Sequence, residues 1–208
     1  MNSSTPRLEA SIRAHLASVL REDGFAGSGR TYRRVVDDWV HVVNVQGSRH
    51  GGSFAINLAI HPQRVPDSIG RAVDPRKLTH DACELRCRLS EQGGDQWWEC
   101  YGDQDSMNEA AQAAASVYVE HGRATFGKLG RGASSVLYSL TAKQLSGPMT
   151  ELCGFGATTG RVALLFARLR AQQGRTSEAA DFVALGLAVA GEAYLLRQEL
   201  NAVTAAAA

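Results

Sequence analysis

The chain has 208 residues, a formal net charge of +1 and 44% hydrophobic residues, the make-up of a globular protein able to bury about 70% of its unfolded surface. Near-neutrality removes the electrostatic footprint of a phosphate-neutralising nucleic-acid binder, and no run of about 18 apolar residues offers a membrane span. Met1–Pro6 lacks the basic and apolar regions of a secretory signal, and four cysteines (Cys83, Cys87, Cys100, Cys153) are too few for a disulfide scaffold, so the expected setting is the reduced cytoplasm.

Thr5–Pro6 is an N-cap followed by proline at the first helical position, and Leu8, Ile12, Leu16, Val19 and Leu20 recur at helical spacing up to the stop at Asp23–Gly24. Gly24 to Gly29 reads as a turn, Arg30 to Val36 as a strand and Asp37–Asp38 as the turn out of it. Two strictly alternating runs, Trp39–Gln46 and Ser53–His61, flank a Gly-rich break and predict an antiparallel hairpin. Arg64 to Thr79 reads as an irregular connection, with or without a short helix. Cys83, Leu85, Cys87 and Leu89 then alternate with Glu84, Arg86, Arg88 and Ser90, a further half-buried strand, and Gln96–Glu99 forms a short one.

Ser106 and Glu109 have the spacing of a capping box for a helix running to about Arg123 or Phe126. Thr141 is the candidate cap of a single turn within the ambiguous stretch Gly130 to Met149. Thr158 or Thr159 opens a helix that stops at Gly174, and Ser177 opens a last helix carrying Phe182, Leu185, Val189, Tyr194, Leu195 and Leu196. The two resemble one helical hairpin of the tetratricopeptide type, without a repeat of about 34 residues. The fold class is α+β: an N-terminal helix, an antiparallel sheet of about four to five strands and a helical C-terminal half ending in a helical hairpin. The domains are 1–130, bearing the sheet, and 131–208, helical.

Pairing Trp39 with Ile60, His41 with Leu58, Val43 with Ile56 and Val45 with Phe54 gives the hairpin one strongly apolar face, and a slip of one residue would expose all eight. The opposite face carries Val40, Val42, Asn44 and Gln46 against Ala59, Asn57, Ala55 and Ser53. Glu84, Arg86 and Arg88 join it if the third strand shares the core. This reads as a solvated sheet face on which guanidinium groups lie beside amides, a combination suited to carboxylate or phosphate. Ser48 and Arg49 extend it into the loop. The candidate binding residues are therefore Gln46, Ser48, Arg49, Asn57, Arg86 and Arg88. In an extended Trp97–Trp98 pair the rings point to opposite faces, and either one enters the core while the other is an exposed anchor for a partner, or both simply pack.

Gly154–Phe155–Gly156–Ala157–Thr158–Thr159–Gly160 has the wrong spacing for a dinucleotide loop and no preceding parallel strand, so it reads as an inter-helix turn. His80, Cys83, Cys87 and Cys100 do not make a zinc site: four residues of strand separate the first two cysteines by about 13 Å, whereas ligands of one ion lie within about 4 Å of each other. No cofactor and no metal are expected. His41 is a core or boundary histidine. His50 and His61 lie at strand or loop ends, where a base can work, but no nucleophile is tied to either.

Taken in order, Gly24–Phe25, Thr31–Tyr32–Arg33–Arg34, Val43–Asn44–Val45–Gln46–Gly47–Ser48–Arg49, Phe54–Ala55–Ile56–Asn57–Leu58, Arg86–Cys87–Arg88–Leu89 and Trp97–Trp98 resemble a mainly bacterial family, domain of unknown function 4304, over roughly residues 8 to 125. His50 and Ile56 depart from its pattern. The resemblance implies a fold and nominates Gln46, Ser48, Arg49 and Asn57, without implying an activity. The expectation is a non-catalytic cytoplasmic binding protein, regulatory or immunity-type, with a protein partner and no nucleic acid or membrane. A homodimer through the C-terminal helices is a further expectation. The alternative is an enzyme using His50 or His61 as base and Arg49, Arg86 or Arg88 to steady a small anionic substrate.

Overall fold

Six strands form one antiparallel sheet in a computed structural model that describes residues 7–67, 69–129 and 135–207. They are β1 (Ala26–Ser28), β2 (Thr31–Val36), β3 (Trp39–Gly47), β4 (Ser53–Pro62), β5 (Leu85–Arg88) and β6 (Trp98–Glu99). The order is β1-β2-β3-β4-β5, with β6 also paired to β4. Thr5–Pro6 lies outside the described residues. β1 occupies what reads in sequence as a plain turn; it pairs with β2 through Ala26 and Arg33, and Phe25 just before it is buried.

The hairpin keeps the expected faces and shifts its register. Ser48 N donates to Ser53 O (2.9 Å) and Gln63 N to Asp38 O (2.8 Å), which sets Asn44 opposite Asn57 and Val43 opposite Leu58. That is two residues from the pairing expected, and a shift of two leaves every side chain on its face. The solvated second face does not hold: Val40, Val42, Ala55 and Ala59 are all fully buried. On this face Asn44, Gln46, Ser53 and Asn57 lie at the loop end, and His61 is buried at the other.

The chain divides into two units. One draws on Met1–Arg34, His41–Leu58 and Arg88–Gly127, the other on Val35–Val40, Ala59–Cys87 and Lys128–Ala208.

In the first unit, helix α1 (8–22) packs on α2 (104–128), and both contain a π turn, Ile12–Leu16 and Tyr118–Gly122. Ile12, Leu16 and Leu20 are buried, as are the small residues Ala110, Ala111, Ala114 and Ala115 that allow close approach. The true N-cap of α2 is Asp103, whose Oδ1 accepts from Ser106 N at 2.8 Å. Ser106 is thus the third helical residue rather than the cap. Arg34 lies over the rings of Phe25 and Phe126 (4.5 and 5.4 Å) and donates to Asp23 O and to Nδ1 of His41. His41 in turn stacks on Phe126, with ring centroids 4.6 Å apart. It is a packing residue, as expected.

In the second unit, α3 (Val136–Ser139) and α4 (Ala142–Leu145) precede α5 (Thr159–Gln172), α6 (Thr176–Val189) and α7 (Tyr194–Ala207). Thr141 closes a full capping box with Gln144. The helix expected to run from Ser177 through Leu196 is two helices, broken where Gly191 takes φ +50°. Gly160 and Gly186 admit α7: a Cβ on Gly160 would meet Leu196 at 2.9 Å, and one on Gly186 would meet Leu200 at 2.7 Å. Val189, Tyr194 and Leu195 are exposed. No helix among the described residues is long and apolar enough to cross a membrane.

Arg170 and His61 are the most deeply buried polar residues described in this unit. Arg170 is wholly buried; its Nη2 donates to the carbonyls of Leu137 (3.1 Å) and Leu140 (3.0 Å), its Nε lies 3.4 Å from Glu178, and its guanidinium lies over Phe166 and Phe182. His61 is also wholly buried, with Nε2 2.9 Å from Val65 O. A carbonyl only accepts, so Nε2 carries the proton and Nδ1 is a buried lone pair without a partner among the described residues. Burial holds this imidazole below its ordinary value.

Arg170→Met should cost about 3 kcal/mol in urea denaturation, because two carbonyls lose their donor. The depressed His61 value means that near pH 6.5 and below the unfolded chain takes a proton the folded chain refuses. Stability is therefore full above that pH and falls as pH drops below it. His61→Gln should show a smaller loss than the native chain between about pH 7.5 and 5.5 when urea midpoints are compared.

Candidate functional site

At the loop end of the hairpin the first unit assembles a polar network around Asn57, which is 8% exposed. Arg88 Nη1 donates to Asn57 Oδ1 (2.8 Å) and to Gln46 Oε1 (3.3 Å). Asn57 Nδ2 donates to Gln46 Oε1 (3.1 Å) and Asn44 Oδ1 (3.3 Å). Asn44 Nδ2 continues to Thr31 Oγ1 (3.0 Å) and Arg30 O (3.3 Å).

The direction of every bond follows from one fact: a guanidinium has donors and no acceptor. Asn57 must turn its oxygen to Arg88, so its amide nitrogen faces Gln46 and Asn44. Both must then present oxygens, and the Asn44 nitrogen is left for Arg30 O and Thr31. Gln46 receives two donors on one oxygen, so its own NH2 group points away from them. Gln46 is exposed, and no described residue bonds that nitrogen.

The loop between β5 and β6 completes the site. Gly93 and Gly94 take φ of +80° and +90°, which turn the chain so that Asp95 returns to Arg88. Asp95 Oδ1 accepts from Arg88 Nε at 2.7 Å, and Oδ2 accepts from Trp97 Nε1 at 3.0 Å. These bonds, that from Trp97 foremost, hold its carboxyl below the usual range. The Arg88 guanidinium carbon sits 5.2 Å from the Trp97 ring centre. Trp97 is 36% exposed, whereas Trp98 is buried and stacks on Phe54 at 5.7 Å. One ring of the pair is core and the other faces outward, as the alternation of a strand requires.

Of the six expected residues, Gln46, Asn57 and Arg88 come together. Ser48 and Arg49 stay in the hairpin loop: Ser48 Oγ accepts from His50 N (3.2 Å), and Arg49 is exposed and bonded to none of the network. Arg86 is held through its backbone, which exchanges hydrogen bonds with Gly156 in the second unit. Asp95 is the participant that sequence reasoning missed; its link to Arg88 spans a loop whose geometry only the paired glycines hint at.

The site presents hydrogen-bond donors beside an aromatic ring. His61, one of the two histidines named as base in the enzyme alternative, is wholly buried. The four cysteines are free thiols, and burial pushes that of Cys87 up to about 12. No group of three or more His, Cys, Asp or Glu arranged for a metal ion occurs among the described residues.

The model of a family described as a domain of unknown function (DUF4304) matches residues 16–123, just over half of the chain, and Asn44, Gln46, Asn57, Arg88, Asp95 and Trp97 all fall within that span. No curated protein and no solved structure matches.

Asn57→Leu should lower stability by about 2 kcal/mol in urea denaturation, since it strips an acceptor from Arg88 and a donor from Gln46 and Asn44 at a buried position.

Proposed function

We propose that this chain, which belongs to the family described as a domain of unknown function (DUF4304), acts by binding a protein partner rather than by catalysis. The observation that carries this reading is Trp97: an exposed indole pinned by Asp95 and backed by Arg88, whose guanidinium is itself anchored on Asn57 and Gln46. Tryptophan and arginine are the residues that most often dominate interfaces. A side chain already fixed in the free protein loses little entropy on binding. The role is regulatory or immunity-type, and the four free cysteines accord with a reducing cytoplasm.

A catalytic reading needs a base. His61 is shut away, and His50 is an exposed loop residue whose backbone nitrogen bonds Ser48 Oγ. The exposed Tyr194 and Leu195 support self-association through the C-terminal helices as a second property; a monomer in light scattering at micromolar concentration would dispose of it.

Affinity capture from a lysate of cells that produce the protein should recover a defined protein with the native chain and at least tenfold less of it with Trp97→Ala or Arg88→Leu, a loss typical of an interface anchor. Equal recovery with both variants, or a copurifying small molecule in place of a protein, would overturn the reading.

A further inference from the structure

We propose, resting on the binding reading above, that the Arg88 site selects neutral hydrogen-bond acceptors, the main-chain carbonyls of an extended peptide segment, and that Asp95 sets this selectivity as a built-in counter-anion.

The argument begins with how the guanidinium is shared. Its Nε is taken by Asp95 Oδ1 (2.7 Å), and its Nη1 by Asn57 and Gln46. The usual carboxylate grip on arginine is bidentate, with the second oxygen on Nη2. Here that second oxygen is held 3.0 Å from the Trp97 indole nitrogen. Asp95 therefore neutralises Arg88 while occupying one prong only. Nη2 has no partner among the described residues, and none of them bonds the NH2 group of Gln46, whose oxygen accepts from the same guanidinium.

The opening is thus rich in donors and electrically balanced. A carboxylate or phosphate arriving there finds a guanidinium whose charge is already compensated, and it meets the Asp95 carboxylate at close range. Glu91, also exposed, is the other charged residue of the loop that follows Arg88 as far as Trp97. Two anions on one guanidinium repel, and the second gains little. A carbonyl oxygen carries two lone pairs and no charge, which suits two neighbouring N–H donors. The Trp97 ring, 36% exposed, takes the apolar side chain of an adjacent peptide residue. The arrangement turns an arginine, the residue most often used for anions, toward the backbone of a partner protein. It replaces the carboxylate or phosphate expected from the sequence as the group recognised.

The test uses the full chain and nitrogen-correlated NMR, following the Trp97 indole N–H, the Gln46 side-chain amide and the Arg88 Nε–H. The probes are acetyl-glycyl-leucyl-glycinamide, the same peptide with glutamate in place of both glycines, sodium acetate and inorganic phosphate, at constant ionic strength. The neutral peptide should shift these resonances at concentrations at least about threefold lower than the acidic one, the discrimination an exposed charge provides. Asp95→Asn and Asp95→Ser should each raise affinity for the acidic peptide by about threefold to fivefold and leave the neutral one within about twofold. Resonances elsewhere in the spectrum report that the variants remain folded.

Acetate, phosphate or the acidic peptide binding the native chain as tightly as the neutral peptide would overturn the selectivity and leave the binding reading standing. Unchanged preference in both Asp95 variants would remove Asp95 from its role. If neither peptide moves any of the three resonances, the peptide-binding reading fails as well.

Discussion

A guanidinium that can only donate is the constraint on which the ordered part of this surface depends. Arg88 fixes the orientation of Asn57, Asn57 fixes Gln46 and Asn44, and Asn44 ends the chain on the Arg30 carbonyl and the Thr31 hydroxyl. Amides in isolation have two nearly equivalent orientations, and a network of them is a set of binary choices. One donor-only member removes all of them. The cost of burying Asn57 is offset because its oxygen and its nitrogen are both matched, and the unmatched polarity is pushed outward to the exposed Gln46.

Arg170 applies the same chemistry to a different end. Its Nη2 serves two carbonyls near the end of α3, and its flat face rests on Phe166 and Phe182. The charge is balanced from one side by Glu178 at 3.4 Å and opposed by Arg175 nearby. Burial wins, and the guanidinium is held down to about 10, still protonated at any physiological pH. Arg88 has solvent beside it and a carboxylate on one prong. The first arrangement is closed and can only stabilise; the second retains an open donor. Exposure of Nη2, rather than residue type, separates a structural arginine from one that can recognise something.

What was legible in the sequence follows the range of the interaction. Face membership in β3 and β4 depends on a period of two, so Val43, Ile56 and Leu58 are assigned to one side by alternation alone. The shift of the pairing by two residues did not disturb it. Thr141 and Gln144, three apart, announce a capping box that forms. The cap of α2 was less legible because Asp103, Asp105 and Ser106 are all competent residues within four positions, and only backbone angles (φ −127°, ψ 172° at Asp103) decide between them. The break after α6 turns on Gly191 adopting positive φ, a conformation the sequence permits without requiring. The burial of the second sheet face was hidden because Val40, Val42, Ala55 and Ala59 are small enough to read as a mild solvated surface.

The site itself was half legible for the same reason. Gln46 and Asn57 meet because facing strands bring them together, and alternation is enough to foresee it. Arg88 reaches them from the neighbouring strand on the same parity. Asp95 arrives by a loop, and loop contacts leave no period in a sequence. Yet in the proposed reading Asp95 decides what the other three bind: it places a carboxylate on a guanidinium that would otherwise suit an anion. Residues set by periodicity build the platform, whereas the residue that sets its chemistry is placed by a turn with two positive-φ glycines. The loop, rather than the strands, is therefore where relatives sharing this platform should differ in what they recognise.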